Sequence, residues 1–182
     1  GRIYLAKKEG IASSLTTMAI LTETLFTIIM GILIIWGIGF FWELPIHNKS
    51  LMWAFIIILI LTAGVVFLSK VKKIVFKLPF RWIPILALSF LMQFIVDGTV
   101  LYFLTLNAVS LSLEFYPLLI VIFAISWLLG FITVFAPSGL GVQEVTMAAL
   151  LSVYMPFPIA VVIAITFRLL LLTSEVLTIS VI

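Results

Sequence analysis

Five ionisable side chains fall within or beside apolar segments of this sequence: Glu23, Asp97, Glu144, Arg168 and Glu175. A charge at the centre of a bilayer costs at least about 2.5 to 3.5 kcal/mol on insertion scales, so such residues are rare in lipid unless they are paired or hydrated. Arg168 lies about ten residues inside its apolar segment, which is too deep for its side chain to reach the interface easily. We therefore predict that Arg168 needs a carboxylate partner.

The partner of Arg168 is expected to come from another segment. Glu175 follows on the same helical face but two turns later, too far away to pair directly. Glu23, Asp97 and Glu144 are the remaining candidates. A buried pair of this kind indicates either a functional site or a contact that only holds the bundle together, and we favour the functional interpretation for Arg168. Glu23 and Glu175 lie nearer the ends of their segments and fit both interpretations.

A proline and two glycines interrupt the sequence between two apolar segments, in Ala136-Pro137-Ser138-Gly139-Leu140-Gly141. This composition predicts a non-helical stretch over 137–141 and a separate helix over 142–154, too short to cross a bilayer. Backbone groups freed inside a membrane must be buried in protein or line a wet cavity. The positive end of the short helix would suit an anionic phosphate headgroup. Alternatively, Glu144 in its first turn satisfies those N–H groups itself.

The whole composition is that of a membrane protein. Of 182 residues, 65% are hydrophobic and only 9% are charged, whereas soluble domains carry about 25% charged residues. We predict an all-α fold, a polytopic transmembrane helix bundle of about five spans plus one short broken, re-entrant helix, in a single transmembrane domain. The spans are predicted at 10–41, 51–68, 83–106, 115–135 and 159–182. In the third span Gln93 precedes Asp97 by one turn, so a locally satisfied polar patch is the alternative to a pathway role for Asp97.

Basic residues predict the orientation of the chain. Two loops on the same side of the membrane contain almost all of them: Arg2, Lys7 and Lys8 before the first span, and Lys70, Lys72, Lys73, Lys77 and Arg81 after the second. The alternate loops hold only Lys49. The excess of Lys and Arg places both basic loops, including 70–81, in the cytoplasm of a multi-pass plasma-membrane protein. Because the sequence starts at Gly1-Arg2 and stops within an apolar run, we expect it to be a fragment of a longer chain.

The stretch from Phe135 to the acidic Glu144, with Arg168 in the next apolar segment, resembles the signature of the lysylphosphatidylglycerol synthetase transmembrane-region family. The resemblance extends over most of the chain, including Arg2 and Glu23, but only its Pro-x-Gly-x-Gly-x-x-Glu part is specific. It implies a flippase-like helical membrane domain. It also implies that Glu144 and Arg168 are the main functional pair and that Arg2 and Glu23 are secondary functional candidates.

Two positions depart from the family pattern. Ser138 stands where glycine is frequent, and serine is small enough to keep the turn. Gln143 stands where a basic residue is frequent, which removes a charge that could contact an anionic headgroup. The candidate substrate-binding residues carry a buried charge or form the break: Arg168, Glu144, Ser138, Gly139, Gly141, Glu23, Arg2, Asp97 and Glu175.

Two classes of function fit these residues. The first is a lipid translocator that shelters a phospholipid or glycolipid headgroup, with Arg168 offering a fork of donors. The second is a membrane-embedded part or accessory subunit of a lipid aminoacyl or glycosyl transferase, or a structural subunit of a membrane complex. Without cysteine, with His47 as the single histidine and without a nucleotide-binding loop, the sequence predicts no catalytic residue, metal or cofactor. The expected partners are membrane lipids, a soluble synthetase or glycosyltransferase domain, or other membrane subunits, and not nucleic acid.

Overall fold

The computed structural model describes residues 13–41, 82–109, 111–132 and 141–181, and all regular elements in these ranges are helical. The predicted all-α fold is confirmed. A single 3₁₀ turn, Leu113–Phe115, precedes the third helix. The helices are α1 (Ser13–Phe41), α2 (Ile83–Ala108), α3 (Tyr116–Ile132), α4 (Val142–Leu151) and α5 (Phe157–Val181). The second predicted span, 51–68, lies outside the described residues.

Three segments of the described chain are long and apolar enough to cross a membrane: Ile83–Ala108, Leu113–Phe131 and Phe157–Leu177. They coincide within a few residues with the predicted spans 83–106, 115–135 and 159–182. Helix α4 is apolar too, but its ten residues are too few to cross. The short helix therefore begins at the residue that the glycine-rich break predicted.

The described residues form two compact units. The first contains 13–32 and 82–91, where the rings of Phe26 on α1 and Phe90 on α2 stack with centroids 6.2 Å apart. The second contains 33–41, 92–109, 111–132 and 141–181. Helices α3, α4 and α5 belong entirely to the second unit.

Helix α3 is the centre of the second unit. Seven consecutive residues, 118–124, are buried, so no face of the helix is left exposed along this stretch. Gly98 on α2 allows a close approach to α3, because a Cβ atom at this position would lie only 2.5 Å from Ile120 Cγ1 and 3.0 Å from Ile120 Cα. The backbones of α2 and α3 are therefore in near contact at this point.

Aromatic packing sets the rotation of α5 about its own axis. Phe123 of α3 packs against Phe94 of α2, with ring centroids 5.6 Å apart, and against Phe167 of α5, at 5.4 Å. Phe167 is fully buried and ends an apolar stripe with helical spacing, Ala160, Ile163, Ala164 and Phe167. The residue that follows Phe167 is Arg168, so its position is determined by this packing.

A tight turn joins α4 to α5. Helix α4 ends at Leu151, whose carbonyl accepts hydrogen bonds from the N–H groups of Tyr154 (2.9 Å) and Met155 (3.2 Å). The prediction of a helix over 142–154 was therefore wrong by three residues, because this turn closes before Pro156 can interrupt the helix. Pro158 is tolerated in the first turn of α5, where its missing N–H has no intrahelical acceptor.

Candidate functional site

The site begins at the N-terminus of α4. Gly141 precedes the helix with a φ of +89°, a conformation that side-chain-bearing residues rarely adopt. Its N–H group donates a hydrogen bond of 2.7 Å to Glu144 Oε2. This is the contact that a glutamate three residues into a helix makes in a capping box, and it satisfies one of the backbone donors left open at the helix start.

The second carboxylate oxygen of Glu144 faces α5. Arg168 Nε lies 3.3 Å from Glu144 Oε1, and each side chain is 16% exposed. This contact is an ion pair between α4 and α5. Arg168 Nη1 donates a hydrogen bond of 3.1 Å to Gln143 Oε1. Two adjacent side chains of α4 therefore hold one guanidinium group, and Glu144 both caps its helix and pairs with Arg168.

Three helices position this cluster of Gln143, Glu144 and Arg168. Gln143 lies on the buried face of α4, together with Met147, Ala148 and Leu151. A Cβ atom at Gly130 of α3 would lie 3.1 Å from Gln143 Cβ, so a glycine here lets α3 approach the start of α4 closely. The cluster is thus bounded by the end of α3, the first turn of α4 and the middle of α5.

Gln143 differs from the other buried polar residues of the second unit. The hydroxyl groups of Thr105 and Ser126 donate hydrogen bonds of 2.8 and 2.7 Å to carbonyls one turn earlier, so their polar groups are satisfied locally. Gln143 is 4% exposed, and its Nε2 has no hydrogen-bond partner in the part of the chain that the structure describes. The site therefore contains a buried amide group whose donors are unused by these residues.

The cluster as a whole is electrically neutral. It contains one guanidinium and one carboxylate, from Arg168 and Glu144, and the uncharged amide of Gln143. The sequence that links α3 to α4, residues 133–140, has no charged side chain. No further charge is therefore contributed by the chain segment next to the cluster in sequence.

Asp97 does not join this cluster. Its neighbour Gly98 packs on Ile120, ten residues before Gly130, which corresponds to about 15 Å along α3. Within the described part of the chain, no hydrogen bond joins Asp97 to the exposed Gln93, so the described residues do not contain the local polar contact that was one alternative for Asp97. The one-turn spacing permitted the contact, but the Gln93 side chain is exposed.

The remaining predicted site residues are two exposed carboxylates and three residues outside the described ranges. Glu175 is exposed on α5, two turns beyond Arg168, as the helical spacing predicted. Glu23 is exposed on α1 and belongs to the first unit. Arg2, Ser138 and Gly139 lie outside the described residues.

Gln143 is the member of the cluster that was not predicted as a site residue. The sequence distinguished Gln143 only as a neutral residue at a position where the family pattern frequently has a basic one. Its position could have indicated a site residue, because Gln143 is next to Glu144 in the first turn of a short helix. A side chain in that turn can contact a ligand bound at the helix N-terminus. Its burial could not be read from the sequence, because it depends on the approach of α3 at Gly130.

Composition, the three segments of spanning length and the enclosed charge pair define an all-α membrane protein. Comparison of the chain with protein-family models, curated proteins and solved structures gives no match. The family resemblance of the Pro-x-Gly-x-Gly-x-x-Glu stretch stays a prediction. Among the described residues, no group of three or more His, Asp or Glu side chains is placed to hold a metal ion.

Proposed function

We propose that this protein is a flippase-like lipid translocator, which shelters a polar lipid headgroup as the lipid passes between the two leaflets. The observation that carries the proposal is the Gln143–Glu144–Arg168 cluster at the N-terminus of a helix too short to cross a bilayer. Short, interrupted helices are where many transporters place their substrate, because the helix start offers polar groups at membrane depth.

The depth of Arg168 supports this role. Helix α5 has 25 residues, which makes it about 37 Å long, and Arg168 is about 16 Å from its first residue. The hydrocarbon core of a bilayer is about 30 Å thick. If α5 crosses the bilayer, Arg168 and Glu144 lie near its middle, which is where a headgroup in transit has lost most of its hydration.

Energetics also favours a functional role over a purely structural one. Replacing a buried ion pair by well-packed apolar residues is often neutral or stabilising, so a pair inside an apolar bundle is weak evidence of a need for stability. Ionisable residues at membrane depth generally mark the paths of substrates or ions. The resemblance to the lysylphosphatidylglycerol synthetase transmembrane-region family points in the same direction.

The proposal includes the cellular setting. The substrates are membrane phospholipids or glycolipids, and the protein resides in the plasma membrane. Its expected partners are a soluble synthetase or glycosyltransferase domain, or other membrane subunits. These partners follow from the family resemblance and carry the chemistry for which this sequence offers no catalytic group.

Variants of the ion pair test translocation. Arg168→Gln and Glu144→Gln keep polar side chains of similar length but remove one charge each. We expect each to lower the rate of lipid exposure on the far leaflet about tenfold, because a hydrogen bond to a charged group contributes about 1.5 to 3 kcal/mol. The measurement is the accessibility of headgroup-labelled lipids in vesicles, with the amount of folded, inserted protein determined in the same preparation. Normal lipid exposure in well-folded variants of both residues would leave only a structural role for the pair.

The orientation is tested by chemical labelling. The chain has no cysteine, so single-cysteine variants give an unambiguous signal. We expect a Lys73→Cys variant to react with a membrane-impermeant maleimide only after the cells are opened, because the basic loop 70–81 is cytoplasmic under the positive-inside rule. A His47→Cys variant in the opposite loop is the matched control and should react in intact cells. Labelling of the Lys73→Cys variant in intact cells would reverse the orientation.

A further inference from the structure

The ion pair does not explain the amide nitrogen of Gln143, which has no hydrogen-bond partner among the described residues. Its Oε1 accepts a hydrogen bond from Arg168, whereas its Nε2 has no hydrogen-bond partner among the described residues and is fully buried. Nearly all buried polar groups in proteins are hydrogen-bonded, to protein, to ordered water or to a ligand. Because Thr105 and Ser126 satisfy their own hydroxyls in the same unit, the open donor at Gln143 requires a specific explanation.

Charge balance indicates which kind of acceptor would fit this donor. Arg168 is already 3.3 Å from the Glu144 carboxylate, so the cluster sums to zero charge. An anion brought beside it would meet the Glu144 carboxylate as well, in surroundings where like charges repel strongly. The linking residues 133–140 supply no compensating cation. An uncharged oxygen can accept from an amide N–H without this penalty.

We infer that Gln143 Nε2 is the headgroup donor of the site, and that it selects lipids whose headgroups present uncharged hydroxyl oxygens, as glycolipids do, over lipids with a bare phosphate. This inference rests on the proposed function and names its substrate class. The Glu144–Arg168 pair then positions the side chain of Gln143. Arg168 Nη1 donates a hydrogen bond to the amide oxygen, so the amide nitrogen stays available to the headgroup.

The experiment measures lipid affinity of the purified protein by native mass spectrometry. The probes are a monoglucosyl diacylglycerol and a phosphatidic acid with the same acyl chains, so that only the headgroup differs. Gln143→Met removes the amide, and Gln93→Met is the matched control, since Gln93 is the other glutamine of the chain and lies exposed on α2. Gln143→Glu is the second variant, because it keeps an oxygen for Arg168 and removes the N–H donors.

We expect the wild-type protein and Gln93→Met to bind the glycolipid more tightly than phosphatidic acid. Both Gln143 variants should bind the glycolipid about fivefold more weakly, the effect of about 1 kcal/mol for one hydrogen bond. Equal glycolipid affinity in the wild type and both Gln143 variants would mean that the amide contacts water only, and would overturn the inference. Weakening in Gln143→Met alone would also overturn it, since the effect would then come from the oxygen that holds Arg168. Tighter binding of phosphatidic acid by the wild type would overturn the choice of an uncharged headgroup.

A separate transport measurement keeps this inference distinguishable from the proposed function. The wild-type protein is placed in vesicles with a fluorescent glycolipid, and the exposure of the lipid on the far leaflet is followed. No movement of lipid together with the expected affinity pattern would overturn translocation and leave the Gln143 site standing. Movement of lipid together with unchanged affinity in the variants would overturn the Gln143 site and leave translocation standing.

Discussion

Replacing Arg168 with alanine is expected to lower the free energy of unfolding by about 3 kcal/mol, the lower end of the range for breaking a buried ion pair. The Glu144 carboxylate and the Gln143 amide oxygen would both lose their contacts with the guanidinium group. With each side chain of the pair only 16% exposed, water can compensate for little of this loss. The unfolding transition can be followed by tryptophan fluorescence during titration of the detergent-solubilised protein with SDS.

A double variant separates the unpaired charge from the loss of packing. Glu144→Gln in the Arg168→Ala background removes the remaining buried charge and still leaves a side-chain oxygen to accept from the Gly141 N–H. The double variant should therefore be more stable than Arg168→Ala alone. A double variant as unstable as the sum of both single ones would show that the two side chains contribute independently, which contradicts the ion pair.

Gly98→Ala is expected to destabilise the second unit by about 1 kcal/mol, the difference between a packing cost and a gain in helix propensity. The added Cβ atom would lie 2.5 Å from Ile120 Cγ1 and 3.0 Å from Ile120 Cα, so α2 and α3 must move apart along the most buried helix of the unit. Overpacking of this kind costs about 1 to 3 kcal/mol. The middle of this range exceeds the gain of about 1 kcal/mol that alanine brings in a helix interior relative to glycine. The same SDS titration measures the effect.

Gly37→Ala is the matched control for this substitution. Gly37 is exposed on α1, and a Cβ atom there would meet no described atom within 4 Å. The helix propensity of alanine should then act alone and stabilise the protein by up to about 1 kcal/mol. Ile120→Ala in the Gly98→Ala background removes the closest of the clashing atoms and should recover part of the lost stability. Equal stability of Gly98→Ala and Gly37→Ala would contradict the close approach of α2 and α3.

Helix type and position were predictable from the sequence because they depend on local composition. The apolar segments 83–106, 115–135 and 159–182 predict helices that the structure has at nearly the same bounds. The start of α4 at Val142 was predictable from Gly139 and Gly141. Glycine marks helix boundaries because it adopts backbone conformations that other residues rarely do. The end of α4 was less predictable, because the turn at Leu151 depends on hydrogen bonds that no residue type specifies.

The sequence alone also predicted that Arg168 needs a carboxylate partner. A guanidinium deep in an apolar segment cannot remain unpaired in lipid, whatever the fold. Helical spacing also excluded Glu175 as the direct partner, because seven residues place it two turns away on the same helix. These conclusions use only the identity of a residue and its distance along one helix.

The identity of the partner was decided by the tertiary structure. Burial of charge alone left Glu23, Asp97 and Glu144 as candidates, and only the family resemblance favoured Glu144. The turn between α4 and α5 brings Glu144 within 3.3 Å of Arg168. Asp97 lies farther from Arg168 along the bundle. Its neighbour Gly98 packs on Ile120, which is ten residues before the Gly130 that contacts Gln143 on the same helix.

The role of Gln143 depends on the same packing. Charge and hydropathy are properties of residues, so they predict which segments enter the membrane and which charges need partners. The burial of Gln143 requires the contact of its Cβ with Gly130 on α3 and the hydrogen bond from Arg168 on α5. Both contacts come from the helices that precede and follow α4 in the chain, and their distances depend on how side chains pack across the three helices. That is why the sequence determined the helices and the charge to be neutralised, while the tertiary structure determined the site.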